Sequence, residues 1–286
     1  MAKFVVVIPS RYASVRLPGK PLRLIAGKPM IQHVHRVATS TGASEVWIAT
    51  DDERIEEAAK DFGANVCMTR ADHESGTDRL AEICDINGWP DDLIVVNLQG
   101  DEPLMPQALV DQCAALLDGG DAGMATLASP LASADDYENP NVVKVVTDQD
   151  GNALYFSRSP IPHCRDEDSR QLTLEGALRH HGIYAYRRDV LRQLVATEPC
   201  ALEKSEKLEQ LRALWLGISL KVGIAASPPG PGVDTEEDLA AAEKALSPSA
   251  PLPPIHGVAS GILPSALRAN AFGVVQNRFL RFCRGM

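Results

Sequence analysis

The sequence predicts an α/β fold in which helices flank a mostly parallel sheet, with a small antiparallel lobe added. Short apolar runs alternate with segments of helical periodicity through most of the chain, which is typical of strands joined by crossover helices. The first run, Phe4 to Ile8, is apolar throughout and rich in valine, as expected for a parallel strand that is covered on both faces. A hairpin signal in the middle of the chain predicts the antiparallel part.

The α/β part is predicted as alternating strands and helices. The strands are expected at Phe4–Ile8, Glu45–Ala49, Asn65–Met68 and Leu93–Leu98. The helices are expected at Met30–Ser40, Asp52–Phe62, Gly76–Asn87 and Pro106–Leu117. Asp51 and Asp52 are candidate caps of the second helix, and Gly63 is its stop signal.

The middle of the chain is predicted to add antiparallel strands. Val142–Thr147 and Ala153–Ser157 flank an Asp-Gln-Asp-Gly turn, which indicates a hairpin, and Gly182–Arg187 alternates like a further strand. These strands are interpreted as a sugar-binding lobe or a dimer arm on the α/β core. Leu202–Leu216 follows as one amphipathic helix with Glu/Lys pairs.

Composition is that of an ordinary globular protein and excludes several classes. The 286 residues carry a net charge of −10, which argues against a nucleic-acid binder with its basic face. The six cysteines show neither a Cys-x-x-Cys pair nor a metal-ligand spacing, so disulfides are not expected. There is no apolar run of membrane-spanning length and no signal-peptide core. The expected location is the cytoplasm, without a membrane partner.

Three cations follow the first strand on one short loop: Arg11, Arg16 and Lys20. In open α/β sheets, ligands bind at the carboxyl ends of the strands, so this loop lies where a site is expected. Pro18 and Pro21 stiffen it. The loop therefore predicts a polyphosphate site, against the alternative of a solvated basic loop.

Two common phosphate-binding motifs do not fit this loop. A P-loop needs Ser or Thr after Gly-Lys, but Pro21 follows Lys20 and offers neither a hydroxyl nor a backbone N–H. No Gly-x-Gly-x-x-Gly fingerprint follows the first strand. Kinase and dehydrogenase functions are therefore disfavoured.

Two carboxylates are candidate Mg²⁺ ligands. Asp101 lies in a Gly-Asp-Glu-Pro turn directly after a buried strand, and Asp234 precedes the last predicted helix. Mg²⁺ is usually held by one or two carboxylates together with substrate phosphates, so such a pair is sufficient. The alternatives are simple turn chemistry at Asp101 and helix capping around Asp234.

Longer motifs that contain these residues resemble one family. They are Ile8–Pro21, Cys67–Asp78, Asn97–Pro103 and Gly232–Thr235, continued by Asn141–Val146, Ala153–Pro160, Leu178–Tyr186 and Leu208–Trp215. In sequence and order they resemble the 3-deoxy-manno-octulosonate cytidylyltransferases, or CMP-Kdo synthetases, over about residues 3 to 246. The resemblance implies a homodimeric, Mg²⁺-dependent enzyme of the nucleotide-diphospho-sugar transferase fold. Such an enzyme makes CMP-Kdo and pyrophosphate from CTP and Kdo for lipopolysaccharide biosynthesis.

The resemblance also implies roles for individual residues. Catalysis would depend on Arg11, Arg16, Lys20, Asp101 and Asp234, of which Asp101 and Asp234 would ligate Mg²⁺. The nucleotide would be bound by Arg11, Arg16 and Lys20 at the triphosphate, by Arg70, Asp72, Ser75 and Gly76 at the cytosine, and by Gln99 and Asp101. Kdo would be bound by Arg158, His180, Tyr184, Glu209 and Gln210.

Some positions depart from the family pattern, and other functions stay open. Ser10 stands where alanine is expected, and His163-Cys164 replaces a Trp-Asp pair at the lip of the sugar site. His180 and His181 are adjacent on a strand, so only one can face the sugar. The alternative functions are CMP transfer to 8-amino-Kdo or a sialic acid, and a non-catalytic sugar-nucleotide sensor.

The last forty residues differ in character from the rest. Residues 247–286 begin with a Pro-rich stretch and contain four arginines but no Asp or Glu. We therefore expect a cytidylyltransferase domain over 1–246 and an extension over 247–286. The extension is either a basic amphipathic anchor for a membrane or partner, or a packed extension, an oligomer contact or a frayed tail.

Overall fold

The computed structural model describes residues 3–14, 16–73, 75–166, 173 and 176–247. The strands are β1 Phe4–Ser10, β2 Leu24–Ile25, β3 Lys28–Pro29, β4 Glu45–Thr50, β5 Asn65–Met68, β6 Ile94–Asn97, β7 Met124–Pro130, β8 Lys144–Thr147, β9 Ala153–Ser157, β10 Leu178–Arg187 and β11 Leu220–Ile224. The helices are α1 Met30–Thr39, α2 Glu53–Asp61, α3 Gly76–Ile86, α4 Gln107–Ala115, α5 Ala134–Glu138, α6 Arg188–Val195, α7 Ala201–Glu206, α8 Gln210–Trp215 and α9 Glu236–Leu246.

The main sheet has the predicted α/β architecture. Over the described residues it has nine strands in the order β11-β7-β10-β6-β1-β4-β5, with β8 on β10 and β9 on β8. β1 pairs in parallel with β4 and β6, and β4 pairs in parallel with β5. Asp52 caps α2 by accepting the Arg54 N–H at 3.0 Å, and Gly63 follows it at φ 80°. The predicted fold class and the first strands and helices are confirmed.

The antiparallel strands predicted in the middle of the chain belong to the main sheet, whereas β2 and β3 form a separate two-stranded antiparallel sheet. β8 and β9 make the predicted hairpin, but β10 lies inside the main sheet, antiparallel to both β6 and β7. Its pairing with β7 shifts register between His181 and Tyr184. The interpretation of β10 as part of an added lobe is therefore corrected, because alternation along a strand does not reveal which strands lie beside it.

The predicted helix Leu202–Leu216 is wrong as a single element. α7 ends at Glu206, Lys207 adopts a left-handed backbone at φ 55°, and α8 begins at Gln210. The Arg212 guanidinium binds both carboxylate oxygens of Glu203 across the break, at 2.8 and 2.5 Å. The amphipathic pattern was misleading here, because Leu202 in α7 is 40% exposed and the buried residue of α7 is Glu203, whereas α8 buries Leu211 and Ala213.

Alternate residues of β1 contribute to two apolar cores. Val5 and Val7 pack in one cluster, and Val6 and Ile8 pack in the other. Successive side chains of a strand point to opposite faces, so each face of the sheet is covered. This burial anchors the strand that ends at the basic loop.

A third apolar cluster joins the segment after β1 to helix α9. Leu17 and Ile25 pack there with Val233 and Leu239. Val233 directly precedes Asp234, so the cluster brings this late part of the chain to the basic loop.

The predicted extension lies outside the described residues from Pro248 onward. In the described part of the chain, no helix is long and apolar enough to span a membrane.

Candidate active site

The carboxyl ends of β1 and β6 lie at the same edge of the sheet. The two strands are parallel neighbours, with Val7 opposite Asn97. The turn after β6 lies directly against the end of β1. A Cβ atom at Gly100 would lie 2.8 Å from Ser10 Oγ and 3.0 Å from the carbonyl oxygen of Pro9. Glycine therefore allows the turn with Asp101 to approach the basic loop.

Lys20 joins two carboxylates that are far apart in the sequence. Its Nζ donates to Asp101 Oδ2 at 2.7 Å and to Asp234 Oδ1 at 2.8 Å. Arg16 Nη2 lies 3.0 Å from the same oxygen of Asp234. The backbone N–H of Val233 donates to the carbonyl of Asp101 at 2.9 Å, which couples the two carboxylate-bearing loops. The two carboxylates therefore converge on one positive charge.

The charges in this cluster affect one another. Partial burial opposes the charged form of Lys20, but its ion pairs with Asp101 and Asp234 outweigh burial and raise the pKa of the ammonium. Burial raises the pKa of Glu102 to about 8, and the charges of Asp101 and Asp234 act in the same direction. Glu102 Oε2 is buried and has no hydrogen-bond partner among the described residues. With this pKa, the Glu102 carboxyl is mostly protonated at neutral pH.

The first cavity is cationic and has a volume of about 380 Å³. Its walls include six predicted residues: Arg11, Arg16, Lys20, Gln99, Asp101 and Asp234. The structure therefore brings all the predicted catalytic side chains to one space, which suits a chain of phosphate groups with a cation.

A second cavity of about 380 Å³ adjoins the first, because Gln99 lines both. The predicted residues at its walls are Ser75, Gly76, Tyr184, Glu209 and Gln210. Sequence analysis missed several others, among them Thr77, Asn97, Tyr186, Lys207 and Arg212. Tyr186 lies two residues after Tyr184 on β10, so strand alternation could have placed it on the same face.

The second cavity contains neutral hydrogen-bonding groups beside the charged side chains of Lys207 and Arg212. Asn97 Oδ1 and Gln210 Nε2 are buried without a partner among the described residues. Burial raises the pKa of Tyr184 and of Tyr186, so both phenols stay protonated at neutral pH. Burial also raises the pKa of Glu209, which accepts a hydrogen bond from Thr77 at 2.9 Å. Unpaired donors and acceptors of this kind suit a ligand that carries hydroxyl groups.

Comparison with known proteins identifies the family. The family model described as Cytidylyltransferase matches residues 5–221. The 3-deoxy-manno-octulosonate cytidylyltransferase of Thioalkalivibrio sulfidiphilus is 54% identical over 246 residues, which are 85% of this chain and 98% of that protein. The chain belongs to the 3-deoxy-manno-octulosonate cytidylyltransferase family. The protein of that name from Serratia proteamaculans is also 54% identical, over 82% of this chain and 96% of that protein.

Solved structures agree with the family assignment. A structure described as CMP:2-keto-3-deoxy-manno-octonic acid synthetase complexed with CTP superimposes with a TM-score of 0.78 and 46% identity, over 85% of this chain and 98% of that one. A cytidylyltransferase from Leptospira borgpetersenii gives a TM-score of 0.53 at 17% identity, over 83% of this chain and 84% of that one, and supports the fold alone.

Two residues predicted at the cytosine of this cytidylyltransferase lie beside a different cavity. Arg70 and Asp72 bind each other at 2.9 Å, with 68% and 73% of their side chains exposed. They line a neighbouring cavity of about 690 Å³, to which Ser75 and Glu209 also contribute. Ser75 thus connects the predicted cytosine residues to the second cavity.

Two residues predicted to bind the sugar line neither of the two adjoining cavities. Arg158 donates from Nε to the carbonyl of Glu206 at 2.9 Å and from Nη1 to the carbonyl of Pro140 at 3.1 Å. His180 hydrogen-bonds Thr126 Oγ1 at 3.0 Å, and its ring contacts that of Tyr184. Burial lowers the pKa of His180 to about 3 and keeps its ring neutral.

Proposed function

We propose that this chain transfers CMP from CTP to the anomeric hydroxyl of Kdo, releasing pyrophosphate. The observation that carries the proposal is the pair of adjoining cavities at one sheet edge, one cationic and one rich in unpaired hydrogen-bonding groups. The family relationship over nearly the whole length of the relatives supplies the substrates. The product, CMP-Kdo, is the activated sugar of lipopolysaccharide biosynthesis, and the reaction belongs in the cytoplasm.

The basic loop would hold the triphosphate. Arg11, Arg16 and Lys20 line the first cavity, and Lys20 and Arg16 are already oriented by Asp101 and Asp234. The attack of a sugar hydroxyl on the α-phosphorus expels pyrophosphate, whose charge these cations would neutralise. Groups that are fixed before the substrate binds stabilise such charge without further reorganisation.

We further propose that Asp101 and Asp234 hold Mg²⁺. Their oxygens already converge on a cation, the Lys20 ammonium, and hard carboxylate oxygens are the ligands that Mg²⁺ prefers. Among the described residues, no group of three or more His, Cys, Asp or Glu side chains forms a metal site by itself. Substrate phosphates would complete the coordination shell of Mg²⁺ held by these two carboxylates, and the bound ion would supply positive charge beside the phosphate oxygens.

The second cavity would hold the sugar. Tyr184, Glu209 and Gln210 line it and can bind hydroxyl groups. Arg158 remains the proposed partner of the Kdo carboxylate because arginine binds carboxylates through two parallel hydrogen bonds. To do so, its guanidinium would exchange the carbonyls of Pro140 and Glu206 for the substrate.

We also propose that the enzyme is a homodimer. Leu154 on β9 and Trp215 on α8 are each 60% exposed, and these two elements pack together. Large exposed apolar side chains of this kind suit contact with a second copy. Sedimentation should give a dimer for the wild type and a monomer for Trp215→Glu; an unchanged dimer in the variant would exclude this surface.

The test of the function is pyrophosphate release with CTP, Mg²⁺ and a panel of Kdo, 8-amino-Kdo and N-acetylneuraminate. Kdo should give the highest kcat/KM. A higher kcat/KM with another sugar would identify that sugar as the substrate. If the folded protein releases no pyrophosphate with any of the three sugars, the non-catalytic sensor would be favoured.

A further inference from the structure

Tyr12 points away from the first cavity although its neighbours line it. Arg11 and Ala13 both contribute to the cavity wall, whereas Tyr12 does not. Its ring instead packs beside helix α2 and against the apolar cluster that contains Val6 and Ile8. Tyr12 therefore touches no proposed substrate position, and its contacts concern the loop itself.

An arginine that is fixed from outside the loop covers the Tyr12 ring. The Cζ atom of Arg54, in α2, lies 3.3 Å from the ring centroid. Asp52 holds the same guanidinium through Nε at 2.9 Å and Nη2 at 2.6 Å. A guanidinium over a tyrosine face is an attractive cation–π contact, and here the carboxylate fixes the orientation of the cation.

The same ring also reaches the far end of the basic loop. A Cβ atom at Gly19 would lie 3.1 Å from the Tyr12 hydroxyl oxygen and 3.2 Å from the ring carbon that bears it. Gly19 has φ 65°, and the backbone N–H of Leu22 donates to its carbonyl at 2.9 Å. Gly19 directly precedes Lys20, so Tyr12 contacts the backbone beside the last cation of the loop.

We infer that Tyr12 is a positioning residue that joins the two ends of the basic loop and fastens them to α2. It follows Arg11 in the sequence and contacts the residue before Lys20, so it sets the spacing between these two cations. The inference rests on the proposed function, because it assigns this spacing to triphosphate binding. A loop that is ordered before binding loses less conformational entropy when the ligand arrives.

The experiment uses three variants and one control of the full chain. Tyr12→Leu removes the ring, Tyr12→Phe keeps it, and Arg54→Met removes the cation but keeps a good helix former. Lys60→Met is the control, since it removes another exposed cation from the same helix. Three quantities are measured: CTP binding by calorimetry without Kdo, the KM for Kdo, and the rate of trypsin cleavage at the Arg16–Leu17 bond, which needs no substrate.

Tyr12→Leu should bind CTP about tenfold more weakly, and Arg54→Met about two- to fivefold more weakly. Both should be cleaved faster at Arg16–Leu17, with the KM for Kdo unchanged, whereas Tyr12→Phe and Lys60→Met should match the wild type. Wild-type cleavage rates in both Tyr12→Leu and Arg54→Met would overturn the positioning role, whatever the protein binds. Faster cleavage with wild-type CTP affinity would overturn its link to the triphosphate, and a wild type that binds no CTP would overturn the proposed function.

Discussion

Gly230→Ala should displace the loop that carries Asp234 and slow catalysis. A Cβ atom at this position would overlap the Cβ of Leu104 and lie 2.6 Å from its carbonyl oxygen. The second clash is with backbone, so rotation of a side chain cannot relieve it. Leu104 follows the turn of Asp101, so the substitution separates the two loops that hold the carboxylates.

The size of the effect follows from these distances. An ordinary contact begins at 3.4 Å, so the loops must move apart by about 1 Å. Overpacking of this kind typically costs about 1 to 3 kcal/mol of the free energy of unfolding. A displacement of about 1 Å at reacting groups can lower the rate about a hundredfold. We therefore expect Gly230→Ala to fold and to lose about 10- to 100-fold in kcat.

The assay is pyrophosphate release at saturating CTP, Kdo and Mg²⁺, with the free energy of unfolding measured alongside. Gly120→Ala is the matched control, because a Cβ atom there meets nothing within 4 Å. The control should keep wild-type activity. A kcat for Gly230→Ala within twofold of the wild type would refute the claim that the packing of these loops sets the carboxylate geometry.

Three further predictions concern the carboxylates, the sugar and the extension. Asp101→Asn and Asp234→Asn should each lower kcat about a hundredfold or more without unfolding the protein, and the kcat of the double variant should be little lower than that of either single variant. Near-wild-type turnover in a single variant at saturating Mg²⁺ would exclude that residue as a metal ligand. Arg158→Ala should lower kcat/KM for Kdo about 30- to 1,000-fold and change kcat/KM for CTP much less, with partial recovery in Arg158→Lys. Normal Kdo kinetics in Arg158→Ala would exclude Arg158 as the carboxylate partner and leave Lys207, which lines the second cavity, as the next candidate. Truncation after Ser247 should leave turnover of free Kdo unchanged, and a large loss in folded, dimeric protein would give the extension a role in the site.

Local patterns were sufficient to predict the basic loop and the Asp101 turn that line the first cavity. The valine-rich strand, its basic loop and the Asp101 turn are each encoded by adjacent residues, and parallel pairing of β1 with β6 brings them to one edge. The family resemblance implied a role for Asp234 in the same site as Lys20, and the structure brings the two side chains into contact. The physical basis of this contact is the apolar cluster of Leu17, Ile25, Val233 and Leu239, which no local pattern reveals.

The second cavity, which is the proposed sugar site, was harder to predict because it depends on contacts between distant segments. The left-handed Lys207 splits an apparently continuous helical pattern and brings Glu209 and Gln210 to the second cavity. Asn97 is buried at the end of an apolar strand, and its role depends on the antiparallel neighbour Tyr184. Arg158 was assigned by motif, whereas its guanidinium is held by carbonyls that sequence analysis cannot place.

The central claim is transfer of the CMP group itself, and isotope transfer tests it most directly. The purified protein is incubated with Mg²⁺, Kdo and CTP labelled with ³²P at either the α- or the γ-phosphorus, and the products are separated by anion exchange. Label from the α-phosphorus should appear in a sugar nucleotide and label from the γ-phosphorus in pyrophosphate. Label from the γ-phosphorus on the sugar, or no transfer by folded protein at saturating substrates, would contradict the account.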